Sequence, residues 1–290
     1  MDGVILFRDA LQDVYGPLDW LPEPDGAIHR FHVPGDKQGS ENGWYVLYLD
    51  NIASGAFGSW KDGGTRTWCS REPADHRESE QVRQRIEQAR QQRQAEQQRR
   101  QQKTARLAGH WWRGARRADP AHPYLIAKQV APHGLRQRGE ELLIPLYADG
   151  QLVNLQRIAP DGGKRFLFGG RIKGCYSPLG QVSAGRPLCI CEGWATGATL
   201  HQVGGYTVAA AMNAGNLKPV ALALRARYPD AEIIIAGDDD RGTDGNPGRI
   251  AANAAAVAVG GQVAFPDWPD NAPDDLTDFN DLANWKRCHE

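Results

Sequence analysis

Two apolar, β-prone runs in this chain end in carboxylates. Leu188-Cys189-Ile190-Cys191 is followed by Glu192-Gly193, and Ile233-Ile234-Ile235-Ala236-Gly237 is followed by Asp238-Asp239-Asp240. Short apolar runs bounded by glycine read as strands buried on both faces, as in a parallel sheet. In open α/β sheets, ligand chemistry collects beyond the carboxyl ends of the strands. Carboxylates gathered there repel one another unless a cation sits between them. Mg²⁺ or Mn²⁺ suits such an all-oxygen set and often bridges it to phosphates. The pattern therefore predicts metal-dependent phosphoryl-transfer chemistry.

The rest of the C-terminal third keeps the alternation. A strand at 188–191 precedes a helix near 194–203. A strand at 206–211 precedes a helix near 216–227, and a strand at 232–237 precedes a helix near 248–259. A last strand covers 262–266. Strands alternating with helices imply an α/β fold with a parallel sheet and flanking helices. Asn216 and Asn246 stand where helix N-caps are expected, the latter followed by Pro247. Gly204-Gly205 and Gly260-Gly261 read as helix stops rather than phosphate loops. Asp238 and Asp240, at i and i+2, point to the same side of a strand end. Asp278 and Asp281 are placed to add ligands from a loop. Asp239, between the two, is expected outside the direct ligand set.

Upstream, the chain reads as three further segments. Residues 1–72 form a small β-rich domain: an amphipathic helix from Val4 to Val14, then aromatic runs at 28–33, 44–49 and 55–60 in an antiparallel meander. His29 and His32 alternate on one of these runs and are assigned surface or packing roles. Residues 73–109 form an arm in which Gln and Arg dominate, read as one long solvated helix over 75–108. Residues 76–117 hold twelve Arg/Lys against four Glu, whereas residues 230–290 hold thirteen Asp/Glu against four Arg/Lys. Such asymmetry suits one face for a polyanion and one for metal ions. The arm is either a spacer or a nucleic-acid-tracking element through Arg83, Arg90, Arg93 and Arg100. Residues 110–184 form a basic β-rich subdomain entered through short helices in 110–135, with Trp111-Trp112 in its core. Its turns are at Asp149-Gly150 and Pro160-Asp161-Gly162-Gly163, and its strands carry Arg157, Lys164, Arg165, Arg171 and Lys173. Residues 185–290 complete the division.

The five cysteines include no CxxC pair, so no zinc site is expected. Cys189 and Cys191 read as core thiols. The odd cysteine count and the lack of a signal peptide point to a reducing cytoplasm. No apolar run approaches the ~20 residues of a membrane helix, so no membrane partner is expected.

Cys191-Glu192-Gly193, Asp238-Asp239-Asp240 and Asp278-Phe279-Asn280-Asp281 together resemble the motifs of the TOPRIM domain, shared by DnaG-type primases, topoisomerases and some nucleases. Ile144-Pro145-Leu146, Asp149-Gly150, Arg157 and Lys164-Arg165 resemble the basic subdomain that precedes TOPRIM in those primases. The N-terminal meander, the Gln/Arg arm, His122-Pro123-Tyr124-Leu125 and Ala214-Gly215-Asn216-Leu217 resemble primases of phages and conjugative plasmids. The resemblance implies a nucleotidyltransferase that makes RNA primers on single-stranded DNA from ribonucleoside triphosphates. Its catalytic residues would be Glu192, Asp238 and Asp240. Its metal ligands would be Glu192, Asp238, Asp240, Asp278 and Asp281. Glu192 would orient a metal or move the proton of the attacking 3′-hydroxyl. Arg157, Lys164, Arg165, Arg171 and Lys173 would hold template or triphosphate, and a replicative helicase is a further candidate partner. A TOPRIM nuclease and a non-catalytic single-strand-binding module are the alternatives.

Overall fold

The computed structural model describes residues 2–61, 63–183 and 185–289. Packing divides the chain into two compact units, Met1–Arg99 and Arg100–Glu290.

In the first unit, α1 (Gly3–Tyr15) begins at Asp2, whose side chain accepts the Val4 N–H at 3.0 Å. A four-stranded antiparallel sheet follows, β1 (His29–Phe31), β2 (Gly43–Tyr48), β3 (Ser54–Ser59) and β4 (Arg66–Cys69), paired in sequence order. Its alternation sorts the side chains to two faces. Tyr45, Leu47 and Phe57 meet Phe7 and Leu11 of α1 on one face. Trp44, Val46, Tyr48 and Ala56 meet Ala89 on the other. Ala89 belongs to α2 (His76–Gly114). β4 was not among the expected strands; only four residues long and largely exposed, it carries no apolar alternation to signal it.

The sequence predicts a solvated helix over 75–108, and α2 differs in two respects. It is longer, and it is not solvated all round. Within the first unit Ala89 is fully buried, and cationic side chains lie along the aromatic rings beside it. Arg93 lies 5.2 Å from the Trp44 ring and 5.3 Å from the Trp60 ring, and it donates to the Gly63 carbonyl at 3.1 Å. Arg85 lies 4.9 Å from the Tyr48 ring and pairs with Asp50 at 2.6 Å. Arginine stems and guanidinium planes cover apolar surface where the helix has few apolar residues to offer.

The second unit begins within the same helix. Ala108, with Trp111 and Trp112 beside it, packs on Leu143, Leu155 and Leu167. Next come β5 (Arg116–Arg117), α3 (Pro123–Lys128), β6 (Arg136–Arg138), β7 (Glu141–Ala148), β8 (Gln151–Ile158) and β9 (Lys164–Phe166). The five strands form an antiparallel sheet in sequence order. Asp149 and Gly150 join β7 to β8 with φ of 51° and 78°, the left-handed pair that a two-residue hairpin needs. Pro145 is tolerated inside β7 because β6 pairs only with Glu141–Leu143, so β6 asks no ladder hydrogen bond of Pro145.

The last elements are β10 (Ser177–Leu179), β11 (Leu188–Cys191), α4 (Trp194–Gly204), β12 (Thr207–Ala210), α5 (Leu217–Arg227), β13 (Ile233–Ala236), α6 (Pro247–Val259), β14 (Gln262–Ala264) and α7 (Phe279–His289). The sheet order is β10-β12-β11-β13-β14, with β10 antiparallel and the rest parallel. The expected α/β architecture is thus present, mostly parallel and flanked by helices. Leu188, Ile190, Ile233 and Ile235 face α5 and α6. Cys189, Cys191, Val208 and Ala210 face α4 and the β7 residues Leu142, Ile144 and Leu146. Both faces are covered, which is why these strands read as unbroken apolar runs. The chain steps from β11 out to β12, then crosses back over β11 to β13. β11 is therefore the topological switch point of the sheet.

Asn246 caps α6 as its position suggests, accepting the Arg249 N–H at 3.2 Å. Asn216 does not cap α5. Its buried amide accepts the Gly174 N–H at 2.8 Å and donates to the carbonyls of Ile172, Cys175 and Ala211 at 3.1, 2.9 and 2.8 Å. The requirement to satisfy these loop carbonyls outweighs the local cap. Asn216→Ala would take this donor from the buried Cys175 and Ala211 carbonyls and the acceptor from the Gly174 N–H. It is expected to destabilise the second unit by about 2–4 kcal/mol, read from the urea midpoint at constant m value.

Candidate functional site

β11 and β13 are adjacent and parallel, so the residues that follow them leave the sheet on the same edge. Glu192 follows β11 and Asp238 follows β13 after one glycine. Asp278 and Asp281 arrive from the start of α7, and Asp240 from the turn before α6. All four other carboxylates act on Asp238. Its pKa is pushed up to about 8, first by burial and then by the charges of Glu192, Asp278, Asp240 and Asp281. Glu192 is also raised, mainly by burial, against the pull of the Ala214 N–H that bonds to it.

Each flanking carboxylate is braced. Asp240 Oδ2 accepts the Gly248 N–H at 2.8 Å, at the N-terminus of α6, where the helix dipole favours negative charge. A side chain at Gly248 would stand 2.6 Å from the Asp238 carbonyl and 2.8 Å from Asp240 Oδ2, so only glycine allows this approach. Asp278 Oδ1 accepts the N–H groups of Asn280 at 2.7 Å and Asp281 at 2.9 Å, and its Oδ2 takes the Thr196 hydroxyl at 2.9 Å. Asp281 pairs with Lys128 of α3 at 3.2 Å. Asp239 is turned to Arg249, which contacts both its oxygens at 2.5 and 2.9 Å, and to Asn246 at 2.7 Å. That pair holds its pKa below the usual carboxylate range and locks the Asp238-Asp240 turn onto α6. Met212 adopts a φ of 74°, rare for a residue with a side chain, while its N–H donates to the Glu192 carbonyl at 2.7 Å. This bend carries the chain toward the Ala214 N–H.

Asp238 has no such brace. Its Oδ1 is buried and finds no hydrogen-bond partner among the described residues. A buried acceptor without a donor, ringed by carboxylates that raise its pKa, fits a hard divalent cation. Glu192, Asp238, Asp240, Asp278 and Asp281 supply oxygen alone, which suits Mg²⁺ or Mn²⁺. Among the described residues, the group of three metal-type side chains whose ligand atoms all lie within 4.8 Å is elsewhere, at Glu23, Asp25 and His29. At that place His29 bonds to Asp25 at 2.8 Å and stacks on Tyr45, a packing role. The site carboxylates stand further apart, and all but Asp238 are drawn to a backbone or side-chain donor.

The basic residues separate. Lys164 is the one whose charge registers on Glu192. The residue is exposed as a whole, yet its ammonium end is crowded by protein. Desolvation and the nearby Lys128 lower its pKa, while Asp278, Glu192 and Asp238 oppose the shift. Arg157 and Arg165 are directly paired across β8 and β9, so they share the opposite face from Lys164. Arg157 pairs with Glu141 at 3.2 Å. Arg171, on the loop before β10, lies 4.0 Å from Asp149, and Lys173 is exposed beside it. On α2, Arg83 and Arg90 are 78% and 75% exposed and only loosely paired with Glu80 and Glu87. Arg93 is held against the tryptophans described above, and Arg100 lies 5.0 Å from the Phe168 ring. Sequence reasoning missed Tyr124, Lys128, Thr196 and Arg249. Only Tyr124 stood in a segment singled out beforehand, His122-Pro123-Tyr124-Leu125; the others carry no local signal.

Asp238 gives a sign-definite pH effect. Its folded pKa is raised, so the fold binds its proton more tightly than the unfolded chain does. That contribution to stability is full below the ordinary value near 3.8 and is lost as pH rises toward 8. Metal-free Asp238→Asn protein should match wild type near pH 4 and melt about 3–6 °C higher at pH 8. Thermal unfolding in chelator across that range checks it.

Residues 187–286 match the family model described as Toprim domain. The chain is 37% identical over 275 residues to a DNA primase TraC of Escherichia coli, an alignment that covers 90% of this chain and 26% of that protein. To a second Escherichia coli DNA primase TraC it is 38% identical over 257 residues, covering 84% of this chain and 18% of that protein. The chain thus spans about a quarter or less of the length of the curated relatives it matches. Its parallel sheet, its carboxylates at the switch point and these matches together mark residues 187–286 as a Toprim domain, within a segment similar to part of DNA primase TraC.

Proposed function

We propose that this chain is a plasmid-type DNA primase, a nucleotidyltransferase that uses a divalent metal to make RNA primers on single-stranded DNA. The observation that carries the reading is the cluster of Glu192, Asp238, Asp240, Asp278 and Asp281 at the β11–β13 edge, with Asp238 Oδ1 left without a donor. The similarity to DNA primase TraC supports synthesis over hydrolysis. Glu192, Asp238 and Asp240 would hold Mg²⁺ or Mn²⁺, with Asp278 and Asp281 behind them. A cation there would neutralise triphosphate charge during in-line displacement. Glu192, with its raised pKa, is suited to take the proton of the attacking 3′-hydroxyl. Lys164 would face the phosphates. Single-stranded DNA and ribonucleoside triphosphates would be the substrates, and the cytoplasm the place of action.

Labelled ribonucleotide on a single-stranded template, with Mg²⁺ or Mn²⁺, should yield short RNA. Asp238→Asn and Asp240→Asn should abolish it and weaken Mn²⁺ binding in calorimetry. Glu192→Gln should lose roughly 10²-fold or more in single-turnover rate while still binding template. Template degradation in place of synthesis would turn the reading to a nuclease.

The basic helix supports template binding through its exposed arginines. We propose that Arg83 and Arg90 contact phosphate, whereas Arg93 mainly secures the helix to its own unit. Arg83→Gln with Arg90→Gln should flatten the slope of log affinity against log salt by about 1.4 for a single-stranded oligonucleotide, at about 0.7 per contact. Fluorescence anisotropy across a salt series reads it, and an unaltered slope would leave the helix a spacer.

A further inference from the structure

Two donors edge the carboxylate cluster without a hydrogen-bond or ion-pair partner among the described residues. Tyr124 of α3 is 5% exposed, and its hydroxyl is buried without a hydrogen-bond partner among the described residues. The Lys164 ammonium lies 5.8 Å from the Tyr124 ring and forms no ion pair among the described residues, although Asp278, Glu192 and Asp238 all act on it. Asp278 also acts on Tyr124, but its oxygens are already engaged by Asn280, Asp281 and Thr196. An unpartnered donor and an unpaired cation therefore stand beside an unpartnered acceptor, Asp238 Oδ1.

Tyr124 is held in place at its own backbone N–H and through the far end of its helix. His122 accepts its N–H at 3.2 Å and is itself within 2.8 Å of the Glu140 carbonyl. Asn280 of α7 donates to the Lys128 carbonyl at 2.7 Å, at the far end of α3. A side chain held this firmly, with a polar end left unmatched, is costly unless something arrives to match it.

A bare divalent cation answers Asp238 but repels Lys164 and gives a hydroxyl donor nothing to bond. A cation carrying a polyphosphate answers all three. We propose that Tyr124 and Lys164 form a polyphosphate subsite beside the carboxylates, with the Tyr124 hydroxyl donating to a phosphate oxygen of the incoming triphosphate. The hydroxyl is buried, so the free end of a polyphosphate reaches it, whereas an internal phosphodiester is flanked on both sides by sugars. The assignment of this polyphosphate to a nucleotide rests on the primase reading; the subsite itself does not.

The test is Tyr124→Phe, probed with Mn²⁺ alone and with inorganic tripolyphosphate in the presence of Mn²⁺, by calorimetry. Mn²⁺ affinity should stay within about twofold of wild type. Tripolyphosphate affinity should fall about tenfold, the loss expected for a hydrogen bond to a charged acceptor. The metal-free variant should melt no lower than wild type, and up to about 2–4 °C higher, because an unmatched buried hydroxyl has been removed. Tripolyphosphate affinity equal to wild type overturns the subsite, as does a Tm several degrees lower, which would show that the hydroxyl has a structural partner. Weakened oligonucleotide binding with intact tripolyphosphate binding also overturns it. If Tyr124→Phe does not fold, Lys164→Met, which keeps the stem, should likewise lower tripolyphosphate affinity about tenfold, while Mn²⁺ alone binds no more weakly than to wild type because a repelling charge has gone. Wild-type protein that makes no primers, yet loses tripolyphosphate on Tyr124→Phe, keeps the subsite and removes the primase reading. Primer synthesis together with an unaffected Tyr124→Phe does the reverse.

Discussion

Mutual repulsion among carboxylates at the edge of the parallel sheet governs the design of the second unit. Glu192 and Asp238 are brought to one edge by the pairing of β11 with β13, and Asp240, Asp278 and Asp281 are added from outside the sheet. Such a group is unfavourable in a fold that has to hold it without a counter-ion. The surrounding structure offsets part of this. The Gly248 N–H holds Asp240, three donors hold Asp278, Lys128 holds Asp281, and the Ala214 N–H bonds to Glu192. Asp238 alone is left to be answered by something that binds. Stability conceded at that residue is what makes the site receptive, because a ligand that binds only the fold returns it.

The supports are not interchangeable with the ligands. Asp239 lies between two site carboxylates in sequence yet belongs to the scaffold, since its bidentate pairing with Arg249 fastens the acidic turn to α6. Asn216 does the same for the loops before β10 and after β12 by satisfying buried carbonyls rather than capping its helix. α2 shows the same economy with apolar material. Within the first unit one fully buried alanine, the half-buried Val82 and Ile86 and the planes of Arg85 and Arg93 seat a helix made mostly of Gln, Glu and Arg. Its outward arginines remain available to a polyanion.

Local pattern was enough for much of this. The apolar runs that became β11 and β13, the carboxylates after them, the Asp149-Gly150 hairpin and the Asn246-Pro247 start of α6 are all encoded by neighbours a few residues apart. Period, turn chemistry and capping are local rules, and so they are legible in one dimension. The short polar strand β4 and the first buried seam of α2 were not legible, because Val82, Ile86 and Ala89 give only a thin apolar line among Gln and Arg, whereas the Trp111-Trp112 end of the helix reads as core.

What the sequence by itself determined, then, is the α/β class and the set of carboxylates at strand ends. Only the tertiary structure decided which of them meet and what meets them. The strand order β12-β11-β13 places Glu192 beside Asp238. The pairing of β8 with β9 sends Lys164 to the acidic edge and Arg157 and Arg165 to the other face. The docking of α3 on α7 brings Tyr124 and Lys128 to carboxylates more than a hundred residues away. These outcomes depend on how separate apolar faces are buried against one another, and no spacing along the chain records that.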